Sequence, residues 1–162
     1  MIYFFKYNWM VRDEYFSLLK NVPTHELTQK RTGGLGNILV TLFHIIEVEH
    51  NWINDLKGVP ILDLKFSTYE NNLNGLIELS QKLQSDIQEY LEQWDDRLAF
   101  QELKITEDWG QIHCTYGEVL RHIIAHEVHH IGQLSIWMRV LGIEPPSANF
   151  IHRGIMLNPD PK

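Results

Sequence analysis

Cysteine is nearly absent from this chain. The single Cys114 among 162 residues excludes an internal disulfide and leaves no cysteine-based metal framework. Basic residues are also scarce. Fourteen Lys and Arg stand against 21 Asp and Glu, the formal charge is −7, and no Lys/Arg cluster offers a footprint for phosphate backbones, so nucleic acid is not an expected partner. Long apolar runs are missing too. The opening MIYFFKYNWM is aromatic, but Lys6, Arg12, Asp13 and Glu14 interrupt it before a signal-peptide core or membrane span could form. No membrane partner is expected, and the chain reads as cytoplasmic. There is no internal repeat, low-complexity tract or linker. With 44% hydrophobic and 11% aromatic residues, the composition is that of a globular protein. Residues 1–162 are therefore expected to form a single domain.

What is present is helical periodicity, in four long segments. The first runs from Tyr3 to Asn21 and stops before Pro23. The second follows the glycine-rich TGGLG and ends at Gly58 and Pro60, where a helix is expected to give out. A third covers Thr68 to Trp94, with Leu73, Leu76, Ile77, Leu83, Ile87, Tyr90 and Leu91 recurring three and four apart. The fourth opens at TYGEVL, where Thr115 and Glu118 have capping-box spacing, and continues to Gly142. Between the third and fourth, RLAFQELKITEDWGQIHC lacks this period, and a short hairpin or irregular loop fits it best. The expected fold is all-α: an up-and-down four-helix bundle with a longer connection between helices three and four.

Histidine is abundant, with nine copies, and the fourth helix concentrates it in AHEVHHIGQL. Positions four apart on a helix lie roughly 40° from one another. His126 and His130 therefore share a face and can reach one divalent ion. The apolar stripe of this helix is Leu120, Ile123, Ile131, Leu134, Met138 and Leu141. His126 and His130 fall at its edge, and His122 and His129 lie further toward solvent. Glu127 lands near the middle of the stripe, where a carboxylate needs hydrogen-bond donors inside the bundle. Two ligands do not make a stable site, since zinc-like ions usually take at least three. Helix two offers His44, Glu47, Glu49 and His50, but its stripe carries Glu49 near the centre and puts both histidines off it. Spacing alone does not choose between His44 and His50.

The stretch HIIEVEHNWI, followed some way later by RHIIAHEVHHIGQLSIWMRVLGIEPP and preceded by an early YNW, resembles the DinB-like superfamily of metal-binding four-helix bundles over essentially the whole chain. The histidine, glycine and glutamine at His130, Gly132 and Gln133 match a habit of that superfamily. The resemblance implies a divalent transition metal, zinc or nickel foremost, held by His44 from the second helix with His126 and His130 from the last. It also implies a homodimer and a small-molecule substrate. Relatives in the superfamily include bacillithiol transferases and mycothiol-dependent maleylpyruvate isomerases, which extends the implication to a low-molecular-weight thiol cofactor and a thiol-dependent transferase acting on small electrophiles.

Other readings of the same residues stand beside this one. HEVHH spells the H-E-x-x-H of zincin proteases, whose glutamate acts as general base, but nothing after Gly142 supplies the third ligand and sheet edge such enzymes need. EVEH and EVHH both spell Glu-x-x-His, as in di-iron carboxylate bundles, though those also want a glutamate from each remaining helix. The metal could instead staple helices two and four in a non-enzymatic metal-binding stress-response module, or serve a metallohydrolase. Without metal, the histidines would have to form a fully satisfied polar cluster. Glu49 and Glu127 are expected to orient imidazoles or to act as a base, His122 to donate to Glu118, and His50 to be a surface group or a support to the ligands. Trp9, Trp52 and Trp137 are expected to pack in the core or a groove, and His25, His113 and His152 to be solvated.

Overall fold

The computed structural model describes residues 1–107 and 110–157. Helix α1 spans Ile2–Leu19, the short α2 Thr24–Thr28, α3 Ile38–Lys57, α4 Leu73–Glu92 and α5 Tyr116–Val140. Strands β1, Glu102–Glu107, and β2, Gly110–Thr115, pair antiparallel, which decides for a hairpin between the two alternatives the sequence left open, with Ile105 opposite Ile112 and Leu103 opposite Cys114. Among the described residues no helix is long and apolar enough to cross a membrane.

Local chemistry sets the helix ends. Asn37 caps α3, its side chain accepting from the Val40 amide at 2.8 Å, and Gly58 closes that helix in the left-handed conformation at φ 65°. At α5 the capping box is complete. Thr115 Oγ1 accepts from the Glu118 amide, and Glu118 Oε2 accepts from the Thr115 amide. Thr115→Ala removes one of those two bonds, so an equilibrium urea melt should show a loss of about 1 kcal/mol. Two features depart from the sequence reading. The short α2 is too brief to leave a periodic signal. And α4 begins at Leu73 rather than Thr68, because Asn72 caps it by accepting from the Gly75 amide at 2.9 Å.

That later start changes the topology. Residues 58–72 form a connection long enough to travel back along α3, docking Leu64, Phe66 and Tyr69 on the core, with Phe66 and Tyr69 against Phe43 near the start of α3. As a result α3 and α4 run in the same direction. Lys57 at the end of α3 pairs with Asp86 in the second half of α4. The alternating up-and-down order expected from the sequence is therefore corrected: α1 and α5 point one way, α3 and α4 the other.

Two apolar clusters fill the interior. One joins Val11, Tyr15 and Phe16 of α1 to Leu42 and Ile46 of α3, Leu76 and Leu83 of α4, and Ile131 and Leu134 of α5. The other joins Phe5 and Trp9 to Ile53 and Leu56, Ile87 and Leu91, and Leu120 and Ile123. Between them, at the waist, each of the four long helices contributes a buried polar residue: Arg12, Glu49, Ser80 and Glu127.

Candidate metal centre

Helices α3 and α5 pack together, and on their shared seam the structure brings His44, His126 and His130 to one point. His126 Nε2 lies 3.1 Å from His44 Nε2 and 3.2 Å from His130 Nε2. One nitrogen from each of the three lies within 4.8 Å of the other two. His130 is buried, and the other two are half-buried. His50, which spacing could not separate from His44, is turned away. It is buried beside Asn54, whose Nδ2 donates to His50 Nε2 at 2.9 Å.

The protons of this trio can be followed. Gln133 Oε1 is 2.8 Å from His130 Nδ1, and Gln133 Nε2 is 2.9 Å from His129 Nε2. An amide so oriented donates to His129 and accepts from His130, which fixes the His130 proton on Nδ1 and leaves its Nε2 bare toward His126. A proton on His126 Nε2 can serve only one of its two neighbours, so the trio is not satisfied by its own hydrogen bonds. A divalent cation would satisfy all three lone pairs at once. Metal–nitrogen bonds of about 2.0–2.1 Å in tetrahedral geometry put ligand nitrogens about 3.3–3.4 Å apart. The observed 3.1 and 3.2 Å lie close to that spacing. The residues present fit the group.

The Gly-rich loop before α3 closes over this arrangement. Gly34 has φ +54°, and a Cβ there would stand 2.7 Å from Gln133 Oε1 and 3.0 Å from Trp137 Cη2. Only glycine allows the loop to lie this close to the side chain that orients His130. Trp137 Nε1 ties the loop down by donating to the Thr32 carbonyl at 3.1 Å.

Burial, with the neighbouring His130, His44, His122 and His129, pushes the His126 imidazole down from 6.5 to about 3. Burial and then His130 lower His44 as well, and His50 is lowered chiefly by burial. Neutral imidazoles are the ligand form. Between about 3 and 6.5 the unfolded chain holds a proton on His126 that the folded one lacks, so stability rises with pH across that window. The metal-free protein should therefore lose stability as pH falls from 6.5 toward 3, read as a falling urea midpoint, and His126→Gln should flatten the slope.

Glu49 and Glu127 do not orient these imidazoles, contrary to the expectation from sequence. Both are buried and committed to Arg12. Arg12 Nε and Nη2 donate to Glu127 Oε1 and Oε2 at 2.8 and 2.5 Å, Nη2 also to Glu49 Oε2 at 2.8 Å, and Nη1 to Ser80 Oγ at 3.3 Å. Trp9 Nε1 donates to Glu49 Oε1 at 2.7 Å. Every carboxylate oxygen thus has a donor, and neither glutamate is placed to act as a base at the histidines; the zincin role for Glu127 goes with it. Burial works to lower the Arg12 guanidinium pKa, but the two carboxylates outweigh it and raise it above its ordinary value. Glu49 is pushed up, first by burial and then by the like charge of Glu127, against the pull of Arg12.

Sequence reasoning foresaw that Glu127 needs an internal donor but missed Arg12. A signal was there in the aromatics Trp9, Tyr15 and Phe16, three and four residues to either side; in the structure all three are buried with Asn8, so Arg12 stands on the inward face of α1. Among the remaining histidines, His25, His113 and His152 are exposed, as expected, and so is His129. His122 does not serve Glu118, which Thr115 occupies; its ring lies edge-on to half-buried Trp52 at 5.5 Å and 5.8 Å from that of His126. Trp9 and Trp137 are buried in the core.

A family model described as DinB family matches residues 2–155. The uncharacterized protein YizA of Bacillus subtilis (strain 168) is 42% identical over 153 residues, covering 94% of this chain and 95% of that protein.

Proposed function

The chain belongs to the DinB family, and from that premise we propose that it is a metal-dependent enzyme of the four-helix-bundle type. In this reading His44, His126 and His130 hold one zinc or nickel ion, and a low-molecular-weight thiol is transferred to a small electrophile. The observation that carries it is the convergence of three Nε2 atoms at 3.1 and 3.2 Å with one contact unmet by any proton. A bound divalent ion would supply Lewis acidity, lowering the pKa of a thiol or water brought to it. Three protein ligands leave a position open, which is the arrangement of catalytic rather than structural zinc sites. The chain's own residues do the rest. Gln133 holds the His130 tautomer, the loop at Gly34 shields that side, and Trp52 with His122 lines the seam beyond His126. With Glu49 and Glu127 engaged by Arg12, neither carboxylate would be placed to take the proton of a thiol held at the histidines.

Two further parts of this reading are proposals on the same footing. Exposed Ile136 and Val140 on the outer face of α5 support a homodimer, and the composition supports a cytoplasmic location. The test is elemental analysis of protein purified without an affinity tag, followed by an assay for thiol transfer to a generic electrophile such as a chlorinated dinitrobenzene, in which the thiolate displaces chloride from the ring. One equivalent of zinc or nickel per chain and metal-dependent turnover are expected. Metal without turnover across several thiols would leave a non-enzymatic metal-binding module, and absence of bound metal would overturn the reading altogether.

A further inference from the structure

We propose that Arg12 is a positioning residue for the metal-binding histidines, setting the rotation and axial register at which His44 of α3 meets His126 and His130 of α5; the proposal rests on the metal-site reading above. The guanidinium reaches across the core from α1 and grips both ligand-bearing helices in one fork, Glu49 on α3 and Glu127 on α5. On α5 the gripped residue is the immediate neighbour of His126, turned about 100° inward; on α3 it lies five positions, roughly 140° of rotation, from His44. Each helix is therefore held at two points around its circumference, histidine on the seam and glutamate at the waist.

Apolar side chains alone would not hold this register so closely. The two clusters above and below the waist supply most of the burial, yet dispersion contacts vary smoothly with small slides of one helix along another, and repacked cores keep stability while losing uniqueness. Metal ligation needs distances correct to about 0.2 Å. Hydrogen bonds from a rigid planar fork are directional on that scale, and here every carboxylate oxygen is fixed, the fourth by Trp9. The cluster also ties in α4 through Ser80, so the frame that presents the histidines includes all four long helices. Buried ion networks are weak evidence for stability, and their best-attested use is to specify register.

The experiment compares wild type with Arg12→Met/Glu49→Gln/Glu127→Leu, which removes the charges together and leaves Trp9 an acceptor, and with Arg12→Lys, which keeps a cation without the fork. Each is prepared metal-free, checked for helical circular dichroism and cooperative urea unfolding, and titrated with zinc; cobalt(II) absorption reports ligand geometry. Leu91→Ala, in the apolar cluster away from the histidines, serves as the control for lost stability alone. We expect the triple variant to fold and both Arg12 variants to bind zinc at least about tenfold more weakly with an altered cobalt spectrum, as loss of supporting groups typically does. Leu91→Ala should keep wild-type affinity. Wild-type affinity and spectrum in either folded Arg12 variant would overturn the proposal while leaving the metal site standing. A triple variant that does not fold leaves Arg12→Lys to decide. Wild type that binds neither zinc nor cobalt would overturn both.

Discussion

His126→Ala is expected to abolish stoichiometric zinc or nickel binding, weakening affinity by at least about a hundredfold, while the helical circular dichroism signal is retained. His126 is the central member of the trio, within 3.2 Å of both other Nε2 atoms, so its removal leaves His44 and His130 as two ligands from different helices with nothing between them. Two imidazoles fall short of the three protein ligands that zinc sites ordinarily use. The helix itself has little reason to unfold. The side chain is half-buried at the edge of the apolar stripe, and alanine is the best helix former. The comparison is sharpened by two other histidines. His113→Ala removes an exposed ring on β2, and His50→Ala a buried ring on the same helix as His44; neither belongs to the trio. Both should keep one equivalent of metal by elemental analysis and calorimetric titration. Loss of metal in all three variants, or in none, would show that the three nitrogens are not a ligand set.

What the sequence made legible was whatever is decided locally. Capping at Thr115 and termination at Gly58 depend on a handful of adjacent residues, and both appear where the pattern put them. The pairing of His126 with His130 is equally local, one turn of one helix. The break between helices three and four was readable as a run without helical period, but strand pairing, which makes it a hairpin rather than an irregular loop, was not. Less accessible was everything that depends on how helices are turned against one another. The sequence pattern puts both His44 and His50 off the apolar stripe of α3, yet His50 is buried, and which of them meets α5 is settled by the rotation of that helix, to which no residue of α3 alone testifies. The roles of Glu49 and Glu127 were misread for the same reason: their partner sits on α1, far away in sequence. The start of α4 illustrates a third kind of error. The helical segment read from the sequence ran back to Thr68, although its periodic residues begin at Leu73, where Asn72 caps α4, and the residues thereby freed turn a short link into a crossover that makes α3 and α4 parallel.

Arg12→Met should be the most destabilising single substitution at the waist, by about 3–5 kcal/mol near neutral pH, the range for removing one partner of a buried ion pair. The guanidinium is 1% exposed and is the only cation bonded to the two carboxylates among the described residues. Methionine fills much of the same space, so packing is not the main loss. The loss is that Glu49 and Glu127 would face each other in the core with no counter-charge. The pH dependence gives this a signature. Glu49 already stands above the ordinary carboxylate value of 4.5 through burial and the like charge of Glu127, and without Arg12 it rises further. A carboxyl whose folded pKa is raised binds more protons folded than unfolded, so between 4.5 and that raised value stability falls as pH rises. The deficit of Arg12→Met relative to wild type should therefore shrink from pH 7.5 to pH 5, as measured by urea unfolding at both. Adding Glu49→Gln and Glu127→Leu removes the stranded charges and should recover most of the stability at either pH, because an ion network replaced by neutral groups of similar volume is often close to neutral in energy. A deficit that is independent of pH, and that the two further substitutions do not repair, would mean that Arg12 acts through its packing rather than its charge.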